Sequence, residues 1–425
     1  MLVAFGMIGT SLSGVTFVSV PGGVGAGHFY YFQVVLGYLI GYFVIAFVLI
    51  PLYYRLNVTS IYTYLEKRFG VNAHKAGASF FILSRLVGAT ARLYLVISVL
   101  QIFIFDRLGI AFELTAFVIL VLILLYTFEG GVKTIIYTDT LQTTGMLTGL
   151  VVCILVILKV MDLNFSQALS LMHENGYTRI FNTDIKSNTF FLKHLLGGAF
   201  IAIAMTGLDQ EMMQKNISVK TIKDSQKNIL SFSFVLVLVN FLFLFLGGVL
   251  YLYASKYHIQ VPPDDLFPTI ALGAEFSGII GIIFIIALIS ALFPSVDGAI
   301  TSITSSYCID ILNLNQRPGD ERSKKRTRLK VHYSFALVFF ILVLVFKAIN
   351  DKLIIDFILK FASITYGPLL GLFSFGILTR RSINSRYVWA VCIIAPLMAL
   401  LLDISCSPEW YEKKLHMELG LNALS

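Results

Sequence analysis

The stretch Tyr126-Thr-Phe-Glu-Gly-Gly-Val-Lys-Thr-Ile-Ile-Tyr-Thr-Asp-Thr-Leu-Gln142 is the part of this chain that says most about its fold. It places the glycine pair Gly130-Gly131 ahead of Thr138 and Asp139, at the start of a long apolar run. An acidic side chain inside a membrane span costs about 3 kcal/mol or more unless it has a partner or a function. Asp139 therefore indicates a polar site within a membrane-embedded helix.

The composition indicates that most of the chain lies in a membrane. Of its 425 residues, 57% are hydrophobic and 13% are charged, and the mean hydropathy is +0.84. Such a chain has too little polar surface to cover a water-exposed fold, so we predict an all-α polytopic membrane protein. The net charge of +8 does not indicate a nucleic-acid partner, because the basic residues lie in short loops between apolar segments.

Motifs of enzymes and metal centres are missing from the sequence. It contains no His-Glu-x-x-His, no Gly-x-Ser-x-Gly and no P-loop lysine. The glycine-rich segment 22–27 has the wrong spacing for a dinucleotide loop. The cysteines show no paired spacing that would indicate a disulfide framework or a zinc site. We therefore expect the protein not to be an enzyme.

Eleven segments are long and apolar enough to cross a bilayer as helices, each span needing roughly 20 residues. They lie near residues 2–23, 30–54, 76–104, 110–127, 134–160, 190–212, 228–254, 276–305, 331–349, 354–379 and 385–404. Lysine and arginine concentrate in the loops after the second, sixth, eighth and tenth spans. The positive-inside rule places those loops in the cytoplasm, so the chain is predicted to start inside and end outside.

The spans form two groups of five that start on opposite sides of the membrane. We expect a single transmembrane domain with one repeat over residues 1–160, a second over 190–379 and an additional helix over 385–404. Small and hydroxyl residues interrupt the first span at Gly9-Thr-Ser-Leu-Ser-Gly14 and the sixth at Gly197-Gly198 and Thr206-Gly207. Such residues also serve as packing surface. Their occurrence in both symmetry-related spans favours the discontinuous helices of inverted-repeat transporters.

Several segments together resemble the sodium:solute symporter family. They are the quoted stretch, Ser13-Gly-Val-Thr-Phe-Val-Ser-Val-Pro21, Asp209-Gln-Glu-Met-Met-Gln-Lys215, Ala291-Leu-Phe-Pro-Ser-Val-Asp-Gly298 and Tyr366-Gly-Pro-Leu-Leu-Gly371. The resemblance implies the leucine-transporter-like fold, with discontinuous first and sixth core helices. Family members carry a further helix before the first span and at least one after residue 425. We therefore expect flanking helices to be missing at both ends.

The resemblance also implies a site for sodium, the coupling ion. Its ligands would be the carbonyl oxygens of Gly9, Leu12 and Ala291 and hydroxyls at positions 294 and 295. Ser295 is present, but position 294 is Pro294, which has no hydroxyl. One possibility is that the sodium site is weakened. The other is that a different oxygen replaces the missing ligand: the carbonyl of Ser290, which Pro294 leaves without a helical hydrogen bond, the Ser290 hydroxyl or a water.

Asp139 has three possible roles. The family match favours a second cation ligand or a step on the intracellular release path. A carboxylate that stabilises the start of a helix is the structural alternative. Asp297 has two equally weighted possible roles, a structural hydrogen bond and ion binding.

Two arginines in the third span indicate an anionic or zwitterionic substrate. Arg85 and Arg92 are seven residues apart, or two helical turns, so both project from one helix face. A guanidinium within a span needs an anion, a carbonyl or a water-filled cavity, and its planar fork suits a carboxylate. The alternative, most plausible for Arg85, is snorkelling to the cytoplasmic interface.

The resemblance adds further substrate-facing positions. Gly88 aligns with a position that contacts substrate in sugar and sialic acid relatives, and Ser13 and Thr16 face substrate in the broken first helix. Ala202 and Met205 stand where sugar-binding relatives carry polar side chains, which argues against a sugar. Tyr366 and Gln101 are additional candidates for the pocket lining.

These observations predict a sodium-coupled secondary active symporter in the bacterial inner membrane. It would import a small carboxylate-bearing or zwitterionic solute by alternating access, and we expect it to work as a monomer. One alternative is a membrane sensor or regulatory module of the same fold, which would bind but not accumulate solute. Another is proton coupling, which Pro294 motivates.

Overall fold

The fold is known from a computed structural model, which describes residues 2–57, 60–127, 132–273, 278–316, 320–349 and 364–405. In these ranges the chain is helical. The first nine helices are α1 (Leu2–Ser11), α2 (Gly14–Gly22), α3 (Val24–Gly27), α4 (Tyr31–Val44), α5 (Ile50–Leu56), α6 (Thr63–Phe69), α7 (Val71–Leu100), α8 (Phe112–Thr127) and α9 (Val132–Met161). The others are α10 (Phe165–Glu174), α11 (Phe191–Ala202), α12 (Gln210–Ile217), α13 (Ile222–Lys256), α14 (Pro263–Ala271), α15 (Gly278–Ser306), α16 (Glu321–Ile349), α17 (Gly367–Leu378) and α18 (Val388–Ser405).

The expectation of many apolar spans is confirmed. Seven single helical stretches are long and apolar enough to cross a membrane, and two bent helix pairs qualify when each pair is taken as one span. Two shorter apolar helices, Phe112–Leu125 and Gly367–Leu378, coincide with the fourth and tenth predicted spans. Part of the predicted tenth span, the Gly130-Gly131 pair and the chain after residue 405 lie outside the described residues. The division into two repeats stays a prediction.

The two bent pairs are the predicted discontinuous helices. α1 and α2 meet at an angle of 59° around Leu12 and Ser13, and the stretch Phe191–Gly207 meets α12 at 68° around Leu208 and Asp209. Ser13 and Asp209 both have extended backbones, which end one helix and begin the next. The Asp209 side chain accepts a hydrogen bond from the Met212 amide at 3.1 Å, as expected of a residue that caps a helix.

Small residues allow the helices around these breaks to pack closely. α1 packs against α9 and α15, and α11 packs against α4. A Cβ on Gly198 would overlap the Val34 carbonyl, and a Cβ on Gly149 would overlap the side chain of Ala287. Such close approach is typical of helix interfaces in membranes. Both breaks are buried in this packing, and each leaves backbone groups without helical hydrogen-bond partners.

Candidate functional site

A cavity of about 120 Å³ lies between the two breaks. Its polar wall consists of Thr10, Ser11, Thr16, Tyr31, Tyr38, Tyr42, Arg85, Arg92, Thr206 and Asn240, and its apolar wall of Leu12, Ile201, Ala202, Met205, Met212 and Leu236. A second cavity of about 440 Å³ shares Thr16 and Tyr31 with it and extends to His28 and His194. These histidines lie at helix ends that the loop charges predict to be outside, so the second cavity lies on the predicted outer side of the central one.

Arg92 is half-buried in the wall of the cavity. It forms no ion pair with any carboxylate in the described part of the chain. The hydroxyl groups of Tyr31 and Tyr38, 3.4 Å apart, lie in the same wall. The guanidinium therefore faces a polar space without a protein anion of its own.

Asn240 is a buried polar residue of the cavity wall that the sequence did not single out. Its Nδ2 donates to the Leu236 carbonyl at 2.8 Å, which fixes the orientation of the amide. Its Oδ1 is buried and has no hydrogen-bond partner in the part of the chain that the structure describes. A buried acceptor without a partner is costly, so this oxygen is suited to a donor group of a bound solute.

A chain of ion pairs lies next to the cavity, toward the predicted cytoplasmic side. The Arg85 guanidinium is paired with Glu211 and lies 3.7 Å from Asp209. Glu211 accepts from Lys215 Nζ at 2.9 Å, and Lys215 Nζ donates to Asp139 at 2.7 Å. All five residues are buried. The network joins α7, α9 and α12 beside the cavity.

The structure places Arg85 at the border of the cavity and pairs its guanidinium with Glu211. A role of Arg85 in substrate binding stays a prediction. Sequence reasoning missed Glu211 and Lys215, although their i,i+4 spacing at the end of the sixth span was a usable signal. Gly298 on α15 makes room for the Glu211 carboxylate, since a Cβ there would overlap it.

The predicted sodium ligands lie where α1 ends. Gly9 and Leu12 are at the C-terminal end of α1, where backbone carbonyls lack helical partners. A Cβ on Gly9 would overlap the Thr143 hydroxyl and lie 3.3 Å from the ring of Pro294. Ala291 and Ser295 are fully buried, and the Ser295 hydroxyl donates to the Leu292 carbonyl at 2.8 Å. The structure thus brings α1, α9 and α15 together at this point.

Thr143 is a further residue that the sequence analysis missed. Its hydroxyl is buried and has no hydrogen-bond partner among the described residues, and it lies directly beside Gly9 and Pro294. It follows Asp139 by one helical turn, a spacing that already places it on the same face of α9. An orphaned buried hydroxyl next to freed carbonyls fits a hard cation, which prefers oxygen ligands. Ser290, the replacement considered from the sequence, has its hydroxyl toward Gly145 instead.

The remaining predicted residues are placed as follows. Thr16, Ala202 and Met205 line the cavity. Ser13 is buried at the break, where its amide donates to the Thr16 hydroxyl at 3.4 Å. Gly88 and Tyr366 are not among the residues that line the cavity. Tyr366 is buried, and its hydroxyl donates to the Asp209 carboxylate at 3.2 Å. Gln101 bonds to Asp106 and Thr115 at the other end of α7, so it does not line the cavity.

Solved structures show which fold this is. A Na⁺-coupled sialic acid symporter in a substrate-bound, outward-open state superposes with a TM-score of 0.78 at 19% identity, covering 94% of this chain and 89% of that one. MhsT in complex with L-phenylalanine gives a TM-score of 0.54 at 14% identity, with 96% and 98% covered. The predicted leucine-transporter-like architecture is confirmed.

Sequence comparisons agree. The sodium/sialic acid symporter NanT of Aliivibrio fischeri is 24% identical, over 93% of this chain and 78% of that protein. The sodium/sialic acid symporter SiaT of Proteus mirabilis is also 24% identical, over 92% and 79%. The family model "SSF: Sodium:solute symporter family" matches residues 1–393. The chain belongs to the sodium:solute symporter family, whose members couple solute transport to sodium, and it is a transporter rather than an enzyme.

Proposed function

We propose that this protein imports a small carboxylate-bearing or zwitterionic solute across the bacterial inner membrane, by sodium symport with alternating access. The observation that carries the proposal is the contrast within α7. Arg85 is neutralised by Glu211, whereas Arg92 enters the cavity without an ion pair among the described residues. A half-buried guanidinium without an anion inside a membrane-embedded helix bundle is unfavourable, and a substrate carboxylate would satisfy it through two parallel hydrogen bonds.

The rest of the cavity supports the same class of solute. The free Oδ1 of Asn240 is an acceptor for an amino or hydroxyl group. Ala202 and Met205 form an apolar wall that offers no directed hydrogen bonds, which disfavours a simple sugar. A solute with one carboxylate, one donor group and an apolar part fits all three features.

Sodium would be held by the carbonyls of Gly9, Leu12 and Ala291 and by the hydroxyls of Ser295 and Thr143. In this proposal the Thr143 hydroxyl takes the place of the one lost at Pro294. The bound cation joins the broken first span to α9 and α15, so it favours the arrangement in which the solute-facing residues are in place. Release toward the cytoplasm then requires the Arg85–Glu211–Lys215–Asp139 chain to separate.

The proposal is tested by solute binding to the purified protein, followed by uptake. Thermal unfolding is measured with panels of monocarboxylates, amino acids, sialic acids and neutral sugars, each in sodium and in choline. We expect stabilisation by a carboxylate or a zwitterion in sodium, and none by its methyl ester.

Uptake of the identified solute into proteoliposomes then separates a transporter from a sensor. Accumulation that requires an inward sodium gradient supports the proposal. Binding without accumulation, or stabilisation by neutral sugars alone, would overturn it.

A further inference from the structure

The ammonium group of Lys215 is held as a metal cation would be. Its Nζ donates to Thr10 Oγ1 at 2.7 Å, Asp139 Oδ2 at 2.7 Å and Glu211 Oε1 at 2.9 Å. An ammonium has three donors, and these three bonds use all of them. The oxygens come from α1, α9 and α12, and Lys215 is only 3% exposed. The charge is thus coordinated by oxygens of three helices, away from water.

The surroundings of this ammonium favour a cation strongly. Asp139 is fully buried and Glu211 is 4% exposed, and Asp297, another fully buried carboxylate, also acts on the charge of Lys215. Asp139 keeps a second oxygen, Oδ1, that is buried and has no hydrogen-bond partner among the described residues. Glu211 is also paired with Arg85, so removal of the ammonium would leave Asp139 as the buried carboxylate with only the Thr10 hydroxyl as a described partner. An unpaired buried carboxylate is costly, and the position beside Asp139 therefore favours a positive charge.

We propose that Lys215 is a tethered cation that permanently occupies a second cation position, formed by Thr10, Asp139 and Glu211. In this arrangement a free sodium ion binds only at the Gly9 site, and a single sodium ion moves with each solute. The ammonium supplies the second charge without being transported. The inference rests on the proposed sodium coupling at the Gly9 site, and it assigns Asp139 to the lysine rather than to a free ion.

A gate formed by the same ion pairs is the competing interpretation. A gate residue affects how fast the cytoplasmic route opens, but its removal creates no binding site. A tethered cation leaves a vacant set of oxygens when its amine is removed, and sodium prefers such oxygens. The two interpretations therefore differ in sodium binding, not only in rate.

The test is sodium binding by Lys215→Met, which keeps the side-chain length and removes the ammonium. Thermal unfolding is followed against sodium concentration without solute, with choline keeping ionic strength constant. Ligand that binds only the folded state raises the Tm in a concentration-dependent way. We expect the rise of Tm with sodium to be described by one binding constant in the wild type, and to need a second binding constant, that is, a second phase, in Lys215→Met. The sodium-to-solute ratio, from reversal potentials in proteoliposomes, should rise correspondingly.

Two further variants control the experiment. Lys215→Arg keeps the charge and should show only the wild-type phase. Adding Asp139→Asn to Lys215→Met removes a carboxylate of the vacated position, so the second phase should disappear. Lys215→Gln, whose amide still donates to the carboxylates, replaces Lys215→Met if that variant does not fold.

The outcomes also separate this inference from the proposed function. A sodium titration of Lys215→Met that matches the wild type would overturn the tethered cation, as would a wild type that already binds and transports two sodium ions per solute. A second phase in Lys215→Met with no sodium response in the wild type would support the tethered cation and contradict sodium coupling at the Gly9 site.

Discussion

Arg85 and Arg92 lie two turns apart on one helix but in opposite electrostatic settings. Arg85 belongs to a network in which every cation is paired with a carboxylate. Lys215 and Tyr366 are further members of this network. Arg92 borders a cavity in which the described residues supply hydroxyl and amide groups but no carboxylate that pairs with it. Each cation of the network has a carboxylate partner, whereas the cavity contains a guanidinium that has none among the described residues.

The difference assigns separate tasks to the two regions: the network stabilises one arrangement of the helices, and the cavity binds a ligand. A network in which both cations are paired stabilises one arrangement of α7, α9 and α12 and needs no ligand to do so. A cavity with an uncompensated cation and a free acceptor on Asn240 is stabilised only when a ligand arrives. Substitutions in the two regions should therefore affect different measurements: protein stability, and at Lys215 also sodium binding, in the network, and solute affinity around the cavity.

The largest effect is expected for Glu211→Gln in the network. This change leaves two buried cations, Arg85 and Lys215, without the carboxylate between them. Breaking a buried pair in this way costs about 3–5 kcal/mol. We expect a marked fall in Tm and in the amount of monodisperse protein, measured in detergent.

Glu113→Gln is the matched control for that variant. Glu113 bonds to Lys347 at 2.6 Å, but both side chains are about half exposed, at 52% and 42%. Exposed pairs add little stability, so this variant should unfold like the wild type. Equal Tm values for Glu211→Gln and Glu113→Gln would contradict the idea that the network carries stability.

The next effect is expected for Arg92→Lys in the cavity. An ammonium keeps the charge but cannot reproduce the planar two-bond fork on a carboxylate. Losing a hydrogen bond to a charged group costs about 1.5–3 kcal/mol. That corresponds to a roughly tenfold to 150-fold loss of solute affinity. Equilibrium binding of the acid identified in the solute screen measures it.

Arg92→Lys should leave the Tm without solute unchanged, because Arg92 forms no ion pair with the described residues. The loss of affinity should be confined to solutes with a carboxylate. Wild-type affinity for the acid in this variant would show that Arg92 only packs within the bundle.

Sequence alone predicts the fold of this chain well and its charge network poorly. The breaks are readable because Gly9–Gly14 and Thr206-Gly207 are local features, and each break lies within or beside them. The partner of Arg85 is not readable, since Glu211 lies 126 residues away and the contact depends on how α7 and α12 pack. Helical spacing puts Arg85 and Arg92 on one face, but only the packing shows that one meets a carboxylate and the other a cavity.

A smaller effect is expected for Thr143→Val at the proposed sodium site. Valine has nearly the same shape as threonine but lacks the hydroxyl, so the variant removes one oxygen ligand of the sodium ion and leaves the packing almost unchanged. We expect a cost of about 1.5 kcal/mol, at the lower end for interactions with a charge, or a roughly tenfold increase in the sodium concentration for half-maximal binding. Sodium-dependent thermal stabilisation measures this without transport.

Two variants sharpen the test of Thr143. Thr143→Ser keeps the hydroxyl and should bind sodium like the wild type. Pro294→Ser, added to Thr143→Val, restores a hydroxyl on the opposite side of the site and should recover part of the affinity. If Thr143→Val binds sodium normally, Thr143 is not a ligand and the hydroxyl lost at Pro294 has no replacement on α9.

The smallest effect is expected for Ser295→Ala. The Ser295 hydroxyl already donates to the Leu292 carbonyl, so only its lone pairs are available to sodium. When the hydroxyl is removed, that carbonyl becomes free to approach the ion and offsets part of the loss. We expect a cost of about 1 kcal/mol, or roughly a fivefold increase in the sodium concentration for half-maximal stabilisation, with unchanged protein abundance. An unchanged sodium dependence would remove Ser295 from the site. A loss larger than that of Thr143→Val would show that α15, rather than α9, supplies the stronger hydroxyl ligand despite Pro294.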